Sequence, residues 1–212
     1  MDILYRDKYC TVAQKDIGTV CEDAGANSLP ALVRNICGGE AHPVHRIDKV
    51  AGGAVLLGNT PAYAEKLRSA GFDKEYLFIT VGSLPEKSGV LSDLVYHDTQ
   101  KNKSYVVNRM RRGVREATLE YTVIAEKEGY ALVKAKMITG RTHQIRLQFS
   151  SRKTPLYGDK RYGGTGDKTA LWSYKLKFVS GGKEHTVISV PPVSQYPWSL
   201  FGEETEKQCT TL

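Results

Sequence analysis

Alternation of apolar and polar residues with a period of two is the most frequent pattern in the chain, and it predicts a protein rich in β-strands. The alternating segments contain many β-branched and aromatic residues and are bounded by glycine or charged residues. They are residues 9–13, 77–81 and 104–107. A continuous apolar run at residues 54–57 predicts a strand that is buried on both faces.

Two pairs of segments have the form of β-hairpins. Residues 118–124 and 130–135 flank Glu128 and Gly129, and residues 171–178 and 184–190 flank a second glycine-containing turn at 180–183. Because hairpins join antiparallel strands, we expect a largely antiparallel sheet.

Helical signals are fewer. Thr60 precedes Pro61, which is the usual order of an N-cap and a first helical residue, and Gly71 marks the expected end. A second helix is expected from Ser28 to the glycines at 38 and 39, and a third after Thr142. Strand pairs with a few helices between them predict an α+β fold, with a largely antiparallel mixed sheet and flanking helices.

Size and composition are those of an ordinary globular protein. The 212 residues include 41% hydrophobic and 25% charged residues, and they contain no repeat or linker. We therefore expect a single domain over residues 1–212. No apolar run approaches the ~20 residues of a membrane-spanning helix, and residues 1–7 do not resemble a signal peptide. These observations predict a soluble cytoplasmic protein.

The net charge favours an anionic partner without identifying it. Thirty Lys and Arg against 23 Asp and Glu give a net charge of +7. Six of the positive charges lie in one segment, residues 101–115, which we call the basic segment: Lys101, Lys103, Arg109, Arg111, Arg112 and Arg115. Such a segment is either a solvated loop or a surface that follows nucleic-acid phosphates, and the sequence alone does not choose.

Metal and disulfide chemistry are not indicated. The four cysteines lack the paired spacing of zinc sites and are too few for a disulfide framework, so we expect free thiols. His42 and His45 are close in sequence but have no further ligand nearby. No P-loop or dinucleotide-binding glycine motif is present, and no cofactor or metal is expected.

Two segments combine charged residues with apolar ones in a way that suits a catalytic centre. Residues 45–48 are His-Arg-Ile-Asp, and small residues follow Asp48 before the apolar run at 54–57. A single acid at the mouth of a core strand is either a salt-bridged loop residue or a rigidly placed catalytic carboxylate. Residues 140–147 are Gly-Arg-Thr-His-Gln-Ile-Arg-Leu, with two cations near a predicted helix start that suits an anion.

Together these segments resemble motifs of the RluA-type pseudouridine synthases. In that family the catalytic aspartate lies in a His-Arg-Leu-Asp element, and the partner arginine closes a Gly-Arg-x-His-Gln-Ile-Arg element. Residues 74–77 resemble the Lys-x-Tyr segment of the family, and residues 154–159 correspond to a later element at about the expected separation. The resemblance extends from residue 3 to residue 191, with the segments in the family order.

The resemblance implies a function and a set of site residues. The expected fold is that of the pseudouridine synthases, with an active-site cleft across the sheet. The expected activity is isomerisation of a specific uridine in structured rRNA or tRNA, with Asp48 as the nucleophile or charge stabiliser, Arg146 as its partner and Tyr76 stacked on the flipped uracil. The residues expected to bind substrate are Arg46, Arg141, His143, Gln144, Arg109, Arg111 and Arg112.

The sequence departs from the family at two places, and the alternatives stay open. The usual Thr-Ser-Gly after the aspartate is Ala51-Gly52-Gly53, and the early Lys-Pro-x-Gly is Lys15-Asp16-Ile17-Gly18. The small RNA-binding domain that precedes the catalytic domain in many relatives is not expected, and a monomer without an obligate protein partner is. The alternatives are a catalytically inactive RNA-binding protein of the same fold, and a hydrolase, for which Asp159 is a distant second carboxylate.

Overall fold

A computed structural model describes residues 1–22 and 24–210. Its contacts divide them into two compact units. Unit 1 comprises Met1–Glu75, Trp172–Pro191 and the described part of Glu206–Leu212; unit 2 comprises Tyr76–Leu171 and Pro192–Thr205. The expectation of a single domain stays a prediction.

Strands predominate among the described residues. They are β1 (Ile3–Arg6), β2 (Cys10–Lys15), β3 (His42–Pro43), β4 (Gly52–Gly58), β5 (Phe72–Val81), β6 (Ser88–Asp98), β7 (Lys103–Val107), β8 (Val114–Lys127), β9 (Tyr130–Met137), β10 (Leu171–Ser180) and β11 (Lys183–Ile188). The α-helices are α1 (Leu29–Cys37), α2 (Pro61–Ala70), α3 (Gln144–Ser150) and α4 (Gly202–Thr210). Within the described ranges, no helix has both the length and the apolar character that a membrane span requires.

In unit 1 the sheet is built around β4. β4 pairs antiparallel with β2, from Cys10 opposite Gly58 to Lys15 opposite Gly53, and parallel with β10, where Trp172 lies opposite Gly52. β1 pairs with β2, β11 with β10, and β3 with β4. Every residue of β4 is buried, as its continuous apolar sequence predicted.

In unit 2 the strand order is β5-β9-β8-β6-β7, and the β9-β8-β6-β7 pairings are antiparallel. The long hairpin of β8 and β9 was predicted from its alternating pattern. Helix α3 packs with Phe149 edge-on to Phe78 and Tyr121, at ring-centroid distances of 4.7 and 5.6 Å. Residues 144–149 are all buried, so α3 is an internal helix and not a surface one.

The predicted fold class is confirmed. The structure is α+β with a mostly antiparallel mixed sheet, and the three predicted helices are α1, α2 and α3. Thr60 caps α2 as expected, because its hydroxyl accepts a hydrogen bond from the Tyr63 amide at 3.2 Å. Strands β1, β3 and β6 and helix α4 were not predicted. Helix α4 has few apolar residues at helical spacing, so its sequence carries a weak signal.

Candidate active site

In unit 1, Asp48 lies in the loop between β3 and β4, where its residue is partly exposed. The loop is held by two backbone hydrogen bonds. The Ala51 amide donates to the Asp48 carbonyl at 2.9 Å, and the Gly18 amide donates to the Lys49 carbonyl at 2.8 Å. The second bond joins the Asp48 loop to the turn that follows β2, so the backbone that carries the carboxylate is fastened on both sides.

The buried thiol of Cys21 also holds the backbone next to Asp48. The Cys21 sulfur lies 3.4 Å from the Ile47 amide nitrogen and 3.5 Å from the Ile47 carbonyl oxygen, and Cys21 is 1% exposed. A thiol is a weak donor and a weak acceptor, so Cys21 satisfies both backbone groups of the residue before Asp48. Burial raises the pKa of the Cys21 thiol, which keeps it protonated.

Lys15, at the end of β2, is fully buried. Its ammonium donates to the carbonyls of Asp16 and Thr19 at 3.0 and 2.9 Å, which fixes the turn that holds Lys49. Burial lowers the pKa of Lys15 to about 8, against the opposing influence of Cys21, Asp48 and Asp16. The loop of Asp48 therefore lies within electrostatic reach of a buried cation.

One of the two departures from the family pattern at residues 51–53, Gly52, has a steric explanation, and the same packing requires the glycine that Gly53 retains. A Cβ on Gly52 would lie 2.2 Å from the Trp172 ring, and a Cβ on Gly53 would lie 2.3 Å from the Ser173 carbonyl oxygen. Gly53 also has φ of +109°, a conformation that favours glycine. The indole of Trp172 is itself anchored, because its Nε1 donates to Ser189 at 3.1 Å. The glycines allow β4 and β10 to approach closely behind Asp48.

The other charged residues of the first motif differ in environment. Arg46 is exposed and forms an ion pair with Glu22, so its expected contact with RNA stays a prediction. His45 accepts a hydrogen bond from the Leu56 amide on Nε2 at 3.2 Å, which places the proton of the neutral ring on Nδ1. Burial, with a smaller contribution from Lys74, lowers the pKa of His45 to about 3. His45 is therefore a neutral structural residue.

In unit 2, Arg146 lies on α3 and is bound by Asp159. Its Nε is 2.6 Å from Asp159 Oδ2 and its Nη2 is 2.8 Å from Oδ1, a bidentate ion pair. The two side chains are 4% and 1% exposed. A guanidinium this deeply buried requires an anionic partner, and Asp159 provides it. The expected pairing of Arg146 with Asp48 stays a prediction.

The neighbours of Arg146 in the second motif have structural contacts of their own. The Gln144 side-chain oxygen accepts from the Arg141 amide and the Thr139 hydroxyl, both at 2.9 Å, and its amide nitrogen donates to the Thr118 carbonyl at 3.1 Å. Arg141 is exposed, and its Nε donates to the Glu116 carbonyl at 2.8 Å. These bonds shape the turn before α3, and binding of substrate by either residue stays a prediction.

His143 and Tyr76 are both largely buried in unit 2. His143 is the residue before α3, with φ of +57°, and its Nδ1 lies 3.0 Å from the Tyr162 hydroxyl. Tyr76 lies in β5 and is 7% exposed. Their expected roles, in substrate binding and in stacking on uracil, stay predictions.

The basic segment forms β7 and the turn that leads to β8. Arg109, Arg111 and Arg112 are exposed, and Arg111 lies 5.3 Å from the centre of the Tyr96 ring. An open depression of about 510 Å³ is lined by Val106, Val107, Asn108, Arg109 and Arg111. The segment therefore presents cations at an accessible concave surface, which suits a polyanion.

The roles of three residues of the site were not predicted from the sequence: Lys15, Cys21 and Asp159. Asp159 lay in a recognised motif element, and that was the one available signal for the partner of Arg146. Lys15 retained the lysine of the early Lys-Pro-x-Gly element but was given no role, and Cys21 was taken as a plain thiol. Across residues 1–22 and 24–210, no group of three or more His, Cys, Asp or Glu side chains is arranged to hold a metal ion.

Comparison with known sequences identifies relatives along most of the chain. A ribosomal large subunit pseudouridine synthase D of Xylella fastidiosa is 27% identical over 230 residues, covering all of this chain and 68% of that protein. An uncharacterized RNA pseudouridine synthase of Aquifex aeolicus is 30% identical over 181 residues, covering 77% of this chain and 56% of that protein. Several further relatives are matched over little more than half of their own length.

Solved structures and a family model agree with these relatives. The human RNA pseudouridylate synthase domain containing 4 superposes with a TM-score of 0.74 at 22% identity, over 98% of this chain and 92% of that one. That likeness shows the fold. Residues 14–151, well over half of the chain, match the model of the family described as RNA pseudouridylate synthase, and the chain therefore belongs to this family.

Proposed function

We propose that this protein is an RNA pseudouridine synthase in which Asp48 is the catalytic carboxylate. The observation that supports the proposal is the Asp48 loop: a partly exposed acid on a backbone held by Gly18, Cys21 and Ala51. A carboxylate with that combination of access and rigidity suits attack on, or charge stabilisation of, a substrate bound from outside. Family membership gives the reaction class.

The reaction requires no redox change. The bond between ribose and N1 of uracil breaks, the base turns, a bond forms between the ribose and carbon 5, carbon 5 loses its proton, and N1 gains one. Asp48 acts as the nucleophile or charge stabiliser while the glycosidic bond is broken. Tyr76 stacks on the uracil and assists loss of the carbon 5 proton, and Arg146 keeps Asp48 ionised.

The substrate we propose is a uridine in structured RNA, with ribosomal RNA as the first choice because the relatives with assigned names are large-subunit rRNA enzymes. A stacked base must be turned out of the helix or taken from a loop to reach the site. Arg46 and Arg141 are exposed cations available to flanking phosphates.

Release of tritium from RNA labelled at carbon 5 of uridine tests the activity. We expect the wild-type protein to release tritium from rRNA and Asp48→Asn to release none, while Asp73→Asn, an exposed acid elsewhere in unit 1, behaves as wild type. Pseudouridine must be the product. Turnover by Asp48→Asn within about tenfold of wild type would refute the assignment of Asp48.

The same assay distinguishes the alternatives. A catalytically inactive RNA-binding protein binds RNA without tritium release. A hydrolase releases free uracil, and it generally needs two carboxylates. Asp159, its second candidate, is buried with both oxygens bonded to Arg146, so it is poorly placed to donate a proton to a substrate.

Binding of RNA by the basic segment needs its own test. Replacing Arg109, Arg111 and Arg112 with glutamine should weaken RNA binding and reduce its log–log salt slope by about one for each lost phosphate contact. Turnover at saturating RNA should hardly change, because these residues would hold the backbone and not the uracil. The control replaces three lysines outside the segment, Lys66, Lys177 and Lys183. Equal salt slopes for both triple variants would show that only net charge matters.

A further inference from the structure

The ring of Tyr162 lies beside the Arg146 guanidinium. Tyr162 ends a short 3-10 helix, Lys160–Tyr162, and is 6% exposed. The Arg146 guanidinium carbon lies 5.0 Å from the centre of the Tyr162 ring. A bidentate carboxylate fixes a guanidinium within its plane, and an aromatic ring at this distance restricts its movement out of that plane.

The hydroxyl of Tyr162 fastens the ring to two other elements. It accepts a hydrogen bond from the Ser104 amide of β7 at 2.8 Å, and it lies 3.0 Å from His143 Nδ1 and 3.5 Å from the Ser104 carbonyl. Whether the hydroxyl or His143 Nδ1 donates in this hydrogen bond depends on the tautomer of His143. Burial raises the pKa of Tyr162, so the phenol stays protonated.

The segment around Tyr162 also forms hydrogen bonds with α3 and with the turn before β7. The Ser150 hydroxyl of α3 donates to the Tyr162 carbonyl at 2.6 Å. The Arg161 guanidinium donates to the carbonyls of Lys101 and Asn102 at 3.0 and 2.7 Å. The Tyr162 amide donates to the Asp159 carbonyl at 3.0 Å, so one short segment holds both groups that surround Arg146.

We propose that Tyr162 is a positioning residue for Arg146: its ring limits the tilt of the guanidinium, and its hydroxyl holds the ring against β7 and His143. The inference rests on the proposed function, since it assigns Tyr162 a part in catalysis through Arg146. The contacts of Tyr162 and Arg161 with residues 101–104 also connect the basic segment to Arg146. Tyr162 itself is not assigned any contact with substrate.

Two variants distinguish the contribution of the Tyr162 ring from that of its hydroxyl. Tyr162→Phe keeps the ring and loses the hydrogen bonds, and Tyr162→Leu loses both. We expect kcat to fall about tenfold in the first and about a hundredfold in the second, with KM little changed, because a misplaced catalytic group impairs the chemical step. The matched control is Tyr121→Phe, which removes the hydroxyl of a buried tyrosine, bonded to the Glu86 carbonyl, while keeping a ring that also contacts α3.

A kcat for Tyr162→Phe within about twofold of the Tyr121→Phe value would overturn the proposal, and so would a loss confined to KM. Tritium release by the wild type is measured first. If the wild type releases none, the proposed function fails, and the assignment of Tyr162 is decided by the spectroscopic measurement alone.

That measurement follows Arg146 directly. In the wild type the Arg146 Nε–H is buried and bonded to Asp159, so its NMR signal should exchange slowly with solvent. We expect faster exchange or an altered shift in Tyr162→Phe and a larger change in Tyr162→Leu, with no change in Tyr121→Phe. An Arg146 signal identical in all four proteins would show that Tyr162 does not position the guanidinium. Tyr162→Phe preserves the ring volume, so this comparison stands even if Tyr162→Leu fails to fold.

Discussion

The loop of Asp48 and the helix of Arg146 hold their charged groups by opposite means. Asp48 remains partly exposed, its backbone is held by amides and a thiol, and a buried lysine holds the neighbouring turn. Arg146 is buried, and its side chain is held by Asp159 and by the ring of Tyr162. A group that must meet substrate keeps its polar atoms accessible, and its backbone is held in place. A buried guanidinium needs side-chain partners.

The difference follows from solvation. An ionised group in a protein interior loses its hydration, and only a well-placed opposite charge with good hydrogen bonds compensates for that loss. A partly exposed carboxylate keeps much of its hydration, so its stability depends less on such compensation. We therefore expect substitutions at the two regions to separate activity from stability.

Arg146→Ala should have the largest effect. It leaves the Asp159 carboxylate buried without its partner, so we expect a loss of about 3–5 kcal/mol of unfolding free energy together with loss of turnover. Urea denaturation measures the stability. Arg152→Ala, which breaks an ion pair of a more exposed arginine with Asp93, is the control and should cost about 0–1 kcal/mol. Similar losses for both variants would contradict the account of Arg146.

Gly53→Ala should destabilise the region of the Asp48 loop, because the added methyl group has no room. Its Cβ would meet the Ser173 backbone, and its φ of +109° is strained for alanine, so we expect a loss of about 2–4 kcal/mol and reduced turnover. Gly71→Ala is the control, because Gly71 has φ of +80° but open space around it. Its cost should be only the backbone strain, about 1–2 kcal/mol. Equal losses would mean that close packing behind Asp48 is unimportant.

Lys15→Met should change how stability depends on pH. The folded-state pKa of Lys15, about 8, lies below the ordinary value of 10.5, so between these values the unfolded chain binds more protons. The stability contributed by this group therefore rises with pH in that window, by at most about 1.4 kcal/mol per pH unit, and its cost is fully present below pH 8.

Denaturation curves at several pH values check this slope. The difference in stability between wild type and Lys15→Met should grow in favour of wild type as pH rises from 8 to 10.5. Lys66→Met, which replaces an exposed lysine in the same unit, should show no such trend. A constant difference across the window would mean that Lys15 has an ordinary pKa in the folded protein.

Cys21→Ala should have the smallest effect on stability. It removes two weak interactions with the Ile47 backbone, so we expect a loss of about 1 kcal/mol. Turnover should fall by a few-fold, because the loop of Asp48 becomes less rigid, while KM stays constant. Cys37→Ala, at a partly exposed thiol, serves as the control. If both alanine variants turn over equally fast, the thiol of Cys21 does not brace the loop.

Much of the fold, and the two motifs that contain Asp48 and Arg146, were predictable from short stretches of sequence. Alternation indicated the hairpin of β8 and β9, and Thr60 with Pro61 marked the start of α2. The motifs around Asp48 and Arg146 indicated the family that the comparisons confirmed. These signals are local, because strand periodicity and helix capping act between residues a few positions apart.

Contacts between distant residues were decided by tertiary structure alone. The partner of Arg146 lies 13 positions along the chain, and Cys21 lies 26 positions from Ile47. Gly52 must be glycine because Trp172, far along the chain, fills the space beside it once β4 and β10 pair in parallel. The sequence by itself determined the strands, the caps and the candidate acid. Burial, close packing and the need to pair a desolvated charge determined how those groups are held, and these depend on which distant segments meet.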